Sequence, residues 1–327
     1  MVHLIAELSC NHGGSIKKLI DLIEAAKKSN CWACKLQLYT PEDLCLKEAN
    51  IIANGKWEGK TLHQIYTEGQ TPQEWHRIAF SLANEIGLNI FSSPFSLDAV
   101  DFLESIGCCM YKVASGEIKN KEMLKLIAQT KKPVFISTGM ATEQDIENAL
   151  SIIDYDQVVL MKCTSEYPAP LDHCNLITIM EMKNKYGLDV GLSDHSINGV
   201  VPIMAVAYGA TYIEKHMKLT PYDNVLDASF SLTPTEMWEL NHRLQDAERA
   251  IGVVKYDGIN DKNKLYMKSV WVKADVKKGE KLTRDNTCLV RPGMGVDAWS
   301  YENILGEVAR MDIKANTPLL TCHITEY

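Results

Sequence analysis

The 327-residue chain has no apolar run of the roughly 20 residues that a membrane-spanning helix needs. Its best stretch, Val200 to Ala207, contains Pro202 and is soon followed by Gly209. There is no basic n-region at the start either. Met1 to Cys10 reaches Glu7 almost at once, which argues against a secretion signal. Positive charge is not in excess: 34 basic against 42 acidic side chains leave a formal net charge of −8. A dedicated nucleic-acid binder, which carries a basic face, is disfavoured, whereas a local basic pocket for an anionic small molecule is not. The cysteines lack the paired spacing of a structural zinc site, because Cys31-Trp32-Ala33-Cys34 is a CxxC without a second pair. That pair also ends a helix and enters a strand, the reverse of a thioredoxin-type site. Ten irregularly spaced cysteines, often inside apolar runs, read as reduced thiols of a cytoplasmic protein. With 46% apolar and 23% charged residues, disorder and a small disulfide scaffold are excluded.

What the chain does have is alternation. Short β-branched or apolar runs predict eight strands: Val2–Ile5, Ala33–Tyr39, Leu88–Ser92, Met110–Val113, Pro133–Ser137, Val158–Lys162, Asp189–Leu192 and Tyr212–His216. Helical periodicity predicts Ser15–Ser29, Pro72–Ile86, Leu97–Ile106, Lys121–Thr130, Thr142–Ile153, Leu176–Tyr186, Gly199–Tyr208 and Thr235–Ile251. Thr233 and Pro234 announce the last of these, and Asn30, Gly87, Gly107, Gly187 and Gly209 stand where helices stop. Eight βα units predict an α/β (β/α)8 TIM barrel over residues 1–254, with a doubly wound open sheet as the alternative. The polar, turn-rich segment 255–266 reads as a linker. Residues 267–327, with short runs at Ser269–Lys273, Lys277–Glu280, Thr287–Arg291 and Pro318–Cys322, read as a small, mostly β domain. The stretch Tyr39–Thr71 is long for a βα connection. It is expected to be a lid, or to carry small elements of its own, on the face where barrels keep their chemistry.

In a closed barrel the C-terminal strand ends share one mouth. In order they carry Glu7 with Asn11-His12, Lys35 with Gln37, Ser92-Ser93, Lys112 with Ser115 and Glu117, and Ser137-Thr138. Then come Lys162, Thr164, Ser165 and Tyr167, followed by Ser193-Asp194-His195 and Glu214-Lys215-His216. Eight polar ends in register resist explanation as solvation, because barrel interiors are normally apolar. Lys35, Lys112, Ser93, Ser115, Ser137 and Ser193 supply ammonium and hydroxyl donors for phosphate or carboxylate oxygens, although any one serine would serve equally as a helix cap. His195 and His216, on neighbouring strands, offer two imidazoles to one divalent metal, where a lone histidine would read as structural. Glu7 and Glu214 would support it or act as acid and base, and Lys112 would stabilise a departing anion. Lys162 suggests a competing Schiff-base aldolase. Gly293-Met-Gly295-Val-Asp-Ala298 matches a dinucleotide fingerprint, but Pro292 interrupts the strand before it and only 29 residues follow. A non-catalytic carbohydrate-binding barrel is the reading from another class.

The segments Ile5-Ala-Glu-Leu-Ser-Cys-Asn-His12, Lys35-Leu-Gln37, Phe91-Ser-Ser-Pro-Phe95 and Tyr111-Lys-Val-Ala-Ser-Gly-Glu117 are similar to those of a known family. So are Ser137-Thr-Gly-Met-Ala-Thr142, Lys162-Cys-Thr-Ser-Glu-Tyr-Pro168, Gly191-Leu-Ser-Asp-His195 and Ile213-Glu-Lys-His216. On these the chain resembles the sialic acid synthases, which condense phosphoenolpyruvate with an N-acylated amino sugar. Lys277-Lys-Gly-Glu280, Val290-Arg-Pro-Gly293 and Asp312-Ile-Lys314 resemble that family's antifreeze-like (SAF) domain. Gly55-Lys-Trp-Glu-Gly59, Thr71-Pro-Gln-Glu-Trp75-His76 and Asp227-Ala-Ser-Phe-Ser231 are most similar to the branch that makes pseudaminic acid from 2,4-diacetamido-2,4,6-trideoxy-altrose. Gly116 instead resembles the N-acetylneuraminate branch, so N-acetylmannosamine or the diacetamido precursor of legionaminate is the alternative sugar. Ser93 and Ser165 stand where that branch has Thr and Asn. The chain begins at its first strand, without the N-terminal extension common in the family, so a less covered barrel floor is expected.

The resemblance implies that Lys35, Ser93, Lys112, Ser115, Ser137, Ser165 and Ser193 hold phosphoenolpyruvate. It implies that Glu7, Gln37, Glu117, Tyr167 and Asp227 address the open-chain sugar. His195 and His216 would bind the metal, Mn2+ first, with Mg2+ or Co2+ as alternatives. A homodimer with a swapped C-terminal domain is also implied, in which Arg291 reaches the sugar amide in the partner's barrel.

Overall fold

In a computed structural model, which describes residues 1–197, 199–256, 258 and 260–324, the eight expected strands close on themselves. They are β1 (His3–Glu7), β2 (Ala33–Leu38), β3 (Asn89–Pro94), β4 (Tyr111–Val113), β5 (Val134–Ser137), β6 (Val158–Cys163), β7 (Asp189–Asp194) and β8 (Tyr212–His216). Neighbours pair in parallel in chain order, and β8 returns to β1 with His216 opposite Glu7, which excludes the open sheet. The ladders of β1, β3 and β7 run past the expected ends at Ile5, Ser92 and Leu192. Those last residues are polar or Pro, and an apolar pattern stops short of them.

The barrel unit also holds α1 (Ile16–Lys28), α2 (Pro41–Leu44), α3 (Leu62–Gly69), α4 (Gln73–Glu85) and α5 (Leu97–Ser105). It continues with α6 (Lys121–Gln129), α7 (Glu143–Leu150), α8 (Ile177–Tyr186), α9 (Val200–Ala207) and α10 (Pro234–Ile251). Helix α1 shows why such segments fold as they do. Leu19, Leu22, Ile23 and Ala26 recur at helical spacing and are buried, and the Ser15 hydroxyl accepts the Lys18 N–H. Helix α10 starts on a reciprocal cap between Thr233 and Glu236, with Pro234 in its first turn. Helix α8 stops at Gly187, whose φ of +66° is left-handed. The N-terminal end of the barrel is filled from within by the rings of His3, Trp32, Phe135 and Tyr212.

The chain divides into two compact units, Met1–Gly252 and Val253–Tyr327. In the second, β9 (Ser269–Val272), β10 (Thr287–Val290) and β11 (Thr317–Pro318) form an antiparallel sheet in the order β10-β9-β11. Val270, Val272, Leu282, Ile304 and Leu319 make its own core, with α11 (Tyr301–Ile304). The run expected at Lys277–Glu280 forms only bridges at its flanks, Val276 to Ile313 and Lys281 to Val308. Gly293–Ala298 follows an antiparallel strand and precedes the four-residue α11, so no βαβ unit surrounds the fingerprint match. Residues 257 and 259 of the expected linker, and 325–327 of the expected last domain, lie outside the described residues.

Two buried histidines make the barrel's stability depend on pH. The Gly14 N–H donates to His12 Nδ1 at 3.1 Å, and His12 Nε2 faces Thr71 Oγ1 at 3.0 Å, so this ring is neutral. His76 lies buried under β3, and burial pulls both rings down to about 4. An unfolded chain takes up these protons near pH 6.5, whereas the folded chain waits until about pH 4. Stability is therefore expected to fall as pH drops through that window, by about 3 kcal/mol per ring. Urea unfolding at neutral pH and near pH 4 checks this, and His76→Gln should remove about half of the two-ring effect.

Candidate active site

Side chains alternate along each strand, so polar residues two apart at the strand ends project into the same mouth. Lys35 and Gln37 of β2, Ser93 of β3, Lys112 of β4 and Ser137 of β5 line one cavity of about 410 Å3. They share it with Ser193 and His195 at the end of β7, and with Glu214 and His216 of β8. The loops add Ser115, Glu117, Tyr167 and Asp227. The intervening residues face outward. Asp194 and Lys215 pair behind the barrel wall at 2.8 Å, both buried, and lock β7 to β8 just where the two histidines emerge. Lys162 donates to the Cys163 carbonyl and to Thr164 Oγ1 and does not line the cavity, so it is misplaced for an imine.

Glu7, the deepest of the expected acids, is wholly buried and does not line the cavity. Its Oε1 accepts from the Ser9 N–H at 3.0 Å and from Gln37 Nε2 at 3.3 Å, and its Oε2 pairs with Lys35. Lys35 also lies 3.7 Å from Glu214, whose other oxygen takes Lys112 at 2.7 Å. Ser193 Oγ donates to Glu214 at 2.9 Å. Two ammonium groups thus neutralise two carboxylates in a buried grid. Burial opposes the charge on Glu214, but Lys112 and Lys35 outweigh it and hold the carboxyl well below its usual range. Burial pulls Lys112 below an ordinary lysine; Lys35 is equally buried, yet the two carboxylates hold it above.

The histidine pair sits beside this grid, with ring centroids 5.4 Å apart and the Phe230 ring against both. His195 Nδ1 lies 2.9 Å from the Thr164 carbonyl. His216 Nδ1 lies 3.3 Å from Asp227 Oδ2, without hydrogen-bond alignment. The Thr164 carbonyl orients the His195 ring through Nδ1, whereas Asp227 only stands near His216. Among the described residues no cluster of three or more His, Cys, Asp or Glu side chains converges as a ready cage. A divalent ion held by this pair alone would need its remaining ligands from water or substrate.

Ser165 stands just outside the cavity lining. Its Oγ faces Gly139, where an added Cβ would come within 2.4 Å of it and within 3.0 Å of Ser115 Oγ, so only glycine fits between the two serines. Arg291 is exposed in the second unit. Asn11 and His12, expected at the mouth, tie loops together instead, Asn11 to Met217 and Ser231 and His12 to Thr71. Several lining residues escaped the sequence reading, among them Cys10, Met140 and Leu226, and two contributions bear on the chemistry. Cys163 lines the cavity, and although burial opposes a thiolate, contact with His195 and the nearby Lys112 bring its thiol down to about 7. Strand parity was the available signal, because Lys162 facing out turns Cys163 in. The second is a group of apolar residues from the segment 39–71, legible only as an unusually long connection.

Residues 22–256 match the NeuB family, and residues 268–325 match the SAF domain. The chain is 39% identical over 322 residues to the pseudaminic acid synthase of Campylobacter jejuni, covering 96% of this chain and 94% of that one. It is 32% identical over 334 residues to the N,N'-diacetyllegionaminic acid synthase of Legionella pneumophila, covering 98% and 94% respectively. Among solved structures, the N-acetylneuraminic acid synthetase of Leptospira borgpetersenii, in complex with citrate, superposes with a TM-score of 0.72 at 26% identity. The match covers 80% of this chain and 88% of that one.

Proposed function

Because the chain belongs to the NeuB family and carries a SAF domain, we propose that it condenses phosphoenolpyruvate with 2,4-diacetamido-2,4,6-trideoxy-altrose, giving pseudaminic acid and phosphate. The supporting observation is a single cavity that joins two buried lysines, four hydroxyl donors and a histidine pair. The choice of sugar leans on the relatives. Pseudaminic acid synthases share 36–39% identity with this chain, against 32% for the legionaminic acid synthase of Legionella pneumophila.

In this reading the phosphate lies on Lys35 and Lys112, and Ser93, Ser115, Ser137 and Ser193 donate to its oxygens and to the carboxylate. Gln37, Glu117, Tyr167 and Asp227 hold the open-chain sugar with its aldehyde toward the histidines. A divalent ion on His195 and His216, manganese in the first instance, would supply Lewis acidity toward the aldehyde oxygen. C3 of phosphoenolpyruvate uses its π pair to bond the aldehyde carbon, the carbonyl π pair moves onto the aldehyde oxygen, which takes up a proton, and water adds at C2 and gives one up. The C2–O bond then breaks with its electron pair leaving on phosphate, whose growing charge the two lysines stabilise. The phosphate competes for the lysines that neutralise Glu7 and Glu214 in the free chain. Glu214, which lines the cavity, is thereby placed to accept the proton of the added water, with Glu7 behind it.

Arg291 is assigned to the sugar amide in a partner's barrel, in a swapped homodimer. Val254, Tyr256 and Trp299 are each more than 90% exposed, and burial against a second copy would take them out of water. The cytoplasm is the proposed compartment, in keeping with ten free cysteines; burial pushes the Cys31 thiol up to about 12, which makes it inert. Among the described residues no helix is long and apolar enough to cross a membrane. Phosphate release with phosphoenolpyruvate and a sugar panel tests the assignment. The trideoxy diacetamido altrose should give the highest kcat/KM, ahead of the legionaminic precursor and of N-acetylmannosamine. Turnover of N-acetylmannosamine alone would overturn the choice of sugar.

A further inference from the structure

The cavity has two unlike ends. Its floor, made by strand ends, is charged and hydroxylated. Its roof comes from the segment 39–71, which contributes Tyr39, Leu44, Trp57, Leu62, Ile65 and Tyr66 to the lining. All six are aromatic or aliphatic. Leu62 and Ile65 lie one turn apart on α3 and pack with Ala53 and Leu226 in a small apolar cluster separate from the barrel core. The neighbouring ammonium of Lys56 does not line the cavity and donates to the Leu226 carbonyl. The Trp57 indole N–H is buried there without a protein acceptor.

A sugar whose aldehyde is held on the floor must send the rest of its open chain toward this roof. A terminal hydroxymethyl group would exchange its water for a surface made mostly of carbon, whereas a methyl group gains by leaving water. An acyl carbonyl is the acceptor that the Trp57 N–H lacks. Beside Glu117, a Cβ added at Gly116 would meet nothing within 4 Å, which leaves room for a bulky substituent. We propose that the segment 39–71 is a specificity element: its apolar roof takes the methyl-bearing end of a deoxy, N-acylated amino sugar and selects it over hydroxylated counterparts. The proposal rests on the condensation reading above.

The test compares kcat/KM, by phosphate release, for 2,4-diacetamido-2,4,6-trideoxy-altrose and the same sugar carrying a 6-hydroxyl. An apolar subsite discriminates against an added hydroxyl by roughly 100-fold, which is the ratio expected for the unsubstituted chain. Leu62→Asn should bring the ratio to about 10 or below, chiefly by slowing the deoxy sugar, with KM for phosphoenolpyruvate unchanged. Tyr66→Gln, at a half-buried position, should do the same if Leu62→Asn folds poorly. A wild-type ratio near one, or a ratio that both folded variants leave unchanged, overturns the proposal. If neither sugar releases phosphate, the condensation reading fails. Calorimetric titration of the same two sugars, with phosphoenolpyruvate present, then judges the roof separately: tighter binding of the deoxy sugar supports it, and equal affinities overturn it.

Discussion

Replacing His216 by alanine is expected to lower phosphate release about a thousandfold or more and to abolish manganese binding followed by electron paramagnetic resonance. Both effects have one origin. His216 and His195 emerge from adjacent strands braced by the Asp194–Lys215 pair, and the described residues offer no cage to take over from a lost imidazole. Wild-type chain in excess chelator should behave like His216→Ala, and full activity there would sink the metal assignment. The same variant reports on the dimer. Co-assembled with Arg291→Ala, it should regain part of the activity if Arg291 serves the partner's barrel, because one intact site then forms per dimer. No recovery in verified heterodimers would place Arg291 on its own barrel.

The second large effect is expected at Lys112, which is 2% exposed and bonded to Glu214. Lys112→Met keeps the length of the side chain and removes its charge. Glu214 is left with Lys35 at 3.7 Å and the Ser193 hydroxyl. Breaking a buried pair in this way costs about 3–5 kcal/mol of stability. The rate of phosphate release should fall by about 100- to 1,000-fold, because a donor aimed at the departing phosphate is gone. The double variant Lys112→Met/Glu214→Gln isolates the stability loss, because it removes the buried charge that Lys112→Met leaves unpaired. Its melting temperature should return most of the way to wild type. Its activity should stay low, having lost both the phosphate donor and the proton acceptor, and recovery of activity together with stability would mean that neither residue serves the reaction.

The architecture was legible because each strand and helix advertises its own period, and a parallel barrel repeats that signal eight times. The floor of the site was legible for a related reason, since polar residues at the ends of otherwise apolar strands have no structural purpose in a packed barrel. What the pattern missed was parity. Asp194, Lys215 and Lys162 are as polar as their neighbours, but one residue along a strand turns a side chain from the mouth to the wall. Anchoring the alternation on His195 and His216 would have sorted them and would have turned Cys163 inward. The roof was beyond this kind of reading. Leu62, Ile65 and Trp57 are ordinary apolar residues in a connection, and only three-dimensional packing makes them one surface. Glu7 was expected at the mouth as an acid or base and toward the sugar, and its seal by Ser9, Gln37 and Lys35 is a tertiary fact.

The buried grid of Lys35, Lys112, Glu7 and Glu214 also governs how a ligand arrives. Two positive and two negative charges cancel, and the chain as a whole carries −8. The mouth therefore projects no attractive field, and a trianionic substrate gains little from long-range steering. Encounter should be slow by the standards of anion-binding enzymes and should not weaken as ionic strength rises, because the charges that matter are exchanged only after contact.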